Sequence, residues 1–199
     1  MQGQKQMNKK ARVILILTIW AGYFSMSAIF VQRYVADVSS EKAMELLSKG
    51  DIQGATYNAG RAVLLNKLEP SYYRNKARVE IASLVLTDLG AYDSKKSQIL
   101  EDLDLSLAAN RNNLVTKRNL VPLYYFLALR DLTSKELDDE YTEKARAYYS
   151  ELKRDYKNDA GVLVLIARYE KKLGLTEDLA DTKKLITVLR PDLVDWAIN

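Results

Sequence analysis

Three clusters of carboxylates are the first residues that could do chemistry: Glu101-Asp102-Asp104, Asp138-Asp139-Glu140 and Glu177-Asp178. Two acids facing each other across a cleft can hydrolyse a glycosidic bond. The spacing argues against that use. Glu101, Asp102 and Asp104 alternate with leucines and read as the wet side of a helix. The other two clusters stand at helix starts, where acids stabilise exposed N–H groups. The chain contains no His and no Cys, which removes the commonest general base, the commonest zinc ligand, thiolate nucleophiles and disulfides. It also has no Gly-rich phosphate loop, serine elbow or calcium loop. An ordinary hydrolase or metalloenzyme is not expected, nor is a cofactor. What remains are Arg and Lys side chains, which hold carboxylates by charge-assisted hydrogen bonds, and 13 tyrosines.

Helices must position them. With 8 Gly and 3 Pro in 199 residues, and no alternating β-branched runs, the chain reads as all-α. Gly50 followed by Asp51 is a helix stop and then an N-cap. Ile52, Ala55, Ala59, Ala62 and Val63 follow at helical spacing. Near the other end Gly174 stops a helix, Thr176 can cap the next, and Leu179, Ile186 and Leu189 lead to Pro191. Between them, Tyr72–Leu89 reads as a helix stopped at Gly90, with Ser97–Ala109 as its partner and Leu100, Leu103 and Leu107 inward. A further helix is expected over Leu114–Leu132, where Pro122 implies a kink or a late start. Its partner, 139–156, presents Tyr141, Ala145, Tyr148, Tyr149, Leu152 and Tyr156 on one face. For the adjacent pairs Tyr72-Tyr73, Tyr124-Tyr125 and Tyr148-Tyr149, the helical turn predicts one ring between helices and its neighbour at an edge.

Val13–Gln32 is 20 residues without a charge, bracketed by Arg12 and Arg33. At about 1.5 Å per residue it covers a hydrocarbon core of about 30 Å. Lys5, Lys9, Lys10 and Arg12 precede it and account for the whole net charge of +4. That bias predicts an N-terminus in the cytoplasm and residues 33–199 on the far side. Tyr34 stands where an interface aromatic would. A cleaved signal peptide ending near Ser25-Met26-Ser27 is the competing reading; the apolar run continues past it through Ala28-Ile29-Phe30-Val31, which favours an anchor. Residues 33–199 balance their charges, and on that bulk balance nucleic-acid binding is set aside.

The organisation expected is a basic tail (1–12), a transmembrane helix (13–32), a helical domain (33–191) and an incomplete terminal helix (192–199). In the domain Ala43 and Ala167 each stand seven residues before a Gly, Gly50 and Gly174, and the second helix of each unit ends about 17 residues after it. The chain here resembles the tetratricopeptide-repeat (TPR) family, an α-solenoid, in about four helical hairpins of which the middle two are degenerate. Ala43, Gly50, Ala55 and Ala62 carry the resemblance in the first unit, and Ala167, Gly174 and Pro191 in the last.

The resemblance implies a concave groove lined by the first helix of each hairpin. The groove candidates are Tyr73, Arg74, Arg78, Lys117, Arg118, Tyr125, Arg168, Lys171 and Lys172, with a protein or peptide partner. The bland alternative is that these are solvated outer faces. The stretch AMELLSKGDIQGATYNAGRAVLLNKLEPSYYR, following an apolar helix, also looks like the junction into the extracytoplasmic TPR domain of O-antigen ligase and polymerase-type bacterial membrane proteins. That second resemblance implies an accessory or detached module of a glycan-assembly system. Residues 192–199, with Leu193, Val194, Trp196 and Ile198, are expected to pack on the last hairpin or to be sticky. With no Gly or Pro between Gly22 and Gly50, the anchor is expected to run nearly straight into the first domain helix.

Overall fold

A single unbroken helix, α1 (Lys9–Ser48), joins the apolar run to the domain. The computed structural model describes residues 9–86, 89–130, 132 and 136–195; Trp196 and Ile198 lie outside them. At 40 residues α1 is about 60 Å long. No described residue packs closely against its N-terminal half: no side chain from 13 to 32 is buried, and Phe24 and Phe30 are each 64% exposed. Among the described helices it is the one long and apolar enough to cross a membrane. Its C-terminal half is different. Ala36, Ser39, Ser40 and Ala43 are buried, so the same helix becomes a packed element within about one turn of Arg33.

Seven more helices follow: α2 (Ile52–Leu65), α3 (Pro70–Ser83), α4 (Leu89–Ala109), α5 (Leu114–Ala128), α6 (Asp139–Asp155), α7 (Ala160–Lys172) and α8 (Thr176–Leu189). Short 3₁₀ turns lie at Leu84–Leu86 and Pro191–Leu193. No strand occurs among the described residues beyond an isolated bridge between Leu129 and Leu137. Consecutive helices pair as α1 with α2, α3 with α4, α5 with α6 and α7 with α8. Each odd-numbered helix also touches the next, α1 to α3 to α5 to α7, so these four form one row.

The turns follow from local chemistry. Gly50 and Gly174 take φ of 79° and 68°, a left-handed conformation that ends a helix at little steric cost to glycine. Asp51 then caps α2 by accepting from the Gly54 N–H at 2.9 Å. Asn113, Asp138 and Asp159 cap α5, α6 and α7 in the same manner. Thr176 does not cap α8: it is the first helical residue, and the capping position is Leu175, without a side-chain bond. Gly90 is not a stop either, because α4 already starts at Leu89 and absorbs most of the expected 90–97 link. The helix begun at Pro70 ends at Ser83, and the one begun at Leu114 ends at Ala128, both earlier than the sequence suggests. Pro122 lies inside α5, which starts at Leu114, so the late-start alternative is excluded.

The main core runs from α3 to α7, through Ala77, Ile99, Leu103, Leu120, Tyr149 and Ile166. Smaller clusters join α1 to α2 and α7 to α8. Leu193 and Val194 are half-buried against the last of these, as expected of an end that packs on the final hairpin.

Candidate functional site

The row of odd-numbered helices presents one open face, and inward contacts set which side chains it carries. On α3, Lys76 pairs with Asp102 of α4 and with Glu80 at 2.7 Å. Arg74 and Arg78 each lie two residues from Lys76, about 160° around the helix from it at about 100° per residue. On α5, Tyr124 stacks on Tyr148 of α6 at 4.2 Å between ring centroids, which turns Arg118 and Phe126 outward. On α7, Glu170 receives Lys153 of α6 at 3.1 Å, leaving Arg168 and Lys172 on the far side.

These three helices share a charge pattern that the bulk balance of the chain hides. Their only acids are Glu80 and Glu170; both are turned inward and both are met by a lysine. Burial, and next the shared hydrogen bond with Asp102, push the Glu80 carboxyl up to about 7. Burial also raises Glu170. The open face therefore carries Arg74, Arg78, Arg118, Arg168, Lys171 and Lys172 with no acid from α3, α5 or α7. Helices α4, α6 and α8 each hold more acids than bases. Arg74 is half-buried beside Arg78; burial, then the Arg78 charge, lower its pKa. An anion placed between the two guanidiniums would relieve that repulsion.

Aromatic rings interleave with the cations. Tyr125 of α5 lies 5.4 Å from Tyr169 of α7 and 5.4 Å from Phe126. The Lys172 ammonium sits 5.3 Å from the Tyr125 ring and 4.8 Å from the Tyr169 ring. Guanidinium forks, rings and ammonium groups together can hold carboxylates and the apolar side chains between them.

Of the nine sequence candidates, Tyr125 and Lys172 meet each other, Arg78, Arg118, Arg168 and Lys171 are exposed, and Arg74 is half-buried. Tyr73 does not belong to the open face. It is 7% exposed, buried with Pro70 and Tyr72 at the start of α3. Lys117 turns the other way, to Asp155 at 2.9 Å and the Tyr156 ring at 5.3 Å. There it lines a separate cleft of about 390 Å³ with Asp104, Arg111, Tyr148 and Glu151. The tyrosine rule of one ring in and one out holds only for Tyr124-Tyr125; Tyr72-Tyr73 and Tyr148-Tyr149 are buried in both members. Tyr169 and Phe126 were missed. Tyr169 stands three residues before Lys172, so a helical-face count from Lys172 reaches it, whereas Phe126 is reached only through its ring contact with Tyr125.

No protein-family model, curated protein or solved structure matches the chain.

Proposed function

We propose that this chain is a single-span, membrane-anchored adaptor with a TPR-like array of four hairpins, and that it works by binding rather than catalysis. Its partner is a protein with an acidic segment, held outside the cytoplasm along the open face of α3, α5 and α7. One observation carries this reading: α3, α5 and α7 present six cations and interleaved aromatics while their two acids turn inward, and α4, α6 and α8 each hold more acids than bases. The unbroken α1 supports the anchoring half of the proposal, since it is both the candidate span and the first helix of the row. The basic flank at residues 9–12 supports an N-terminus in the cytoplasm. Confinement to the bilayer would raise the effective concentration of the face near membrane partners.

Photo-crosslinking of the anchored full chain tests this. A crosslinker at Arg118 or Arg168 is expected to capture a partner that one at Glu101 or Glu143, on α4 and α6, does not. Equal capture from both pairs of positions would contradict the assignment of the face. Recovery of glycan-assembly proteins in the adduct would favour an accessory module of that system, the other reading the sequence suggests.

A further inference from the structure

The corner between α2 and α3 carries large apolar side chains that no described residue covers. Leu64 is 73% exposed and Leu68 is 77% exposed. Their height along α1 is fixed by the first hairpin. Ala36 packs with Ala62 and Tyr72, and the Gln32 side-chain amide donates to the Leu65 carbonyl at 2.6 Å. Gln32 is the last residue of the uncharged run, so the corner lies level with the end of the candidate span. Tyr34, 69% exposed, stands on α1 at the same level.

Charge at the corner suits a lipid surface. Arg61 and Lys67 are exposed. The two acids there are already engaged: Glu69 caps α3 and accepts the Ser71 hydroxyl at 2.7 Å, and Asp37 accepts the Tyr72 hydroxyl.

We propose that the α2–α3 corner inserts into the interface of the same bilayer that α1 crosses. Leu64 and Leu68 enter the boundary between headgroups and acyl chains, and Arg61 and Lys67 reach lipid phosphates. The inference rests on the reading of α1 as a transmembrane helix. A single span leaves the domain free to turn about its own axis; a second contact off that axis fixes the direction in which the open face points.

The natural absence of cysteine permits a clean test. Single variants Leu64→Cys, Leu68→Cys, Val85→Cys and Val188→Cys of the full chain carry an NBD fluorophore in vesicles of phosphatidylcholine and phosphatidylglycerol. Val85 and Val188, 67% and 83% exposed on other hairpins, are the controls for exposure away from the corner. Emission at positions 64 and 68 is expected to shift to the blue and to be quenched by shallow nitroxide lipids at least about twofold more than at 85 and 188. Water-like, unquenched emission at 64 and 68, from a chain that resists alkaline extraction, would overturn the corner contact and leave the span standing. Quenching of all four positions alike would also overturn it. Loss of the chain to the alkaline wash would remove the span and the corner contact together.

Discussion

Between α1 and α2 the contact is built from alanines: Ala36 and Ala43 on one helix meet Ala55, Ala59 and Ala62 on the other, all within 1% of full burial. Between α5 and α6 it is built from tyrosines. Tyr124 and Tyr148 stack, and Tyr149 is 1% exposed behind them. Alanine leaves no polar atom to satisfy and lets two backbones approach closely, so its contact depends on shape alone. Tyrosine fills a wider gap, but each buried hydroxyl must find an acceptor. Tyr148 donates to the Lys117 carbonyl at 2.7 Å and Tyr149 to the Val121 carbonyl at 2.9 Å, on the stretch of α5 leading into Pro122. Pro122 has no N–H to give its own helix, and α6 binds that stretch through side chains. The two hairpins thus solve one problem, joining antiparallel helices, by opposite means.

Urea unfolding of the full chain in detergent micelles, followed by helical circular dichroism, can break each solution separately. The largest loss is expected for Tyr149→Ala, about 3–5 kcal/mol, because a large buried ring is replaced by a cavity. Ala59→Leu should cost about 1–3 kcal/mol by overpacking the close approach of α1 and α2. An Ala59→Leu variant as stable as the natural chain would mean that the first hairpin is loosely joined. Tyr149→Phe keeps the ring and removes one buried donor, for an expected loss of about 1 kcal/mol.

The second hairpin adds a third solution, charge, in Lys76, Glu80 and Asp102. Folded Glu80 holds its proton to about pH 7, against 4.5 for an ordinary glutamate. The folded state then binds more protons than the unfolded one between these values, and stability contributed by this group falls as pH rises from about 4.5 to about 7. Glu80→Gln should flatten that slope, the smallest effect of the four. An unchanged slope would place the titration elsewhere.

The contrast between hairpins also explains what could be read beforehand. Alanines at fixed distances from Gly50 and Gly174 are positional demands of close helix approach and a left-handed turn, and they stood out in the sequence. The tyrosine face of α6 was legible too, from Tyr141 to Tyr156, because a helix repeats its face every three to four residues. The joint burial of Tyr148 and Tyr149 was not, since it depends on α5 lying across both rings. Gly90 and Thr176 misled for a shared reason: a residue that suits a helix boundary also suits the first turn. The cation-rich face of α3, α5 and α7 was hidden by the zero net charge of residues 33–199, which averages over faces that only packing separates. Lys117 shows the same limit, as its direction is set by Asp155, 38 residues away.

The central claim is that the open face of α3, α5 and α7 binds an acidic partner. It is tested most directly by reversing its charge in the anchored full chain, as Arg78→Glu with Arg118→Glu and Arg168→Glu, and measuring partner capture. All three side chains are exposed, so helix content is expected to persist. Capture should fall by at least about tenfold, while Glu101→Lys with Glu143→Lys on the even-numbered helices leaves it unchanged. Undiminished capture by the triple variant would contradict the claim.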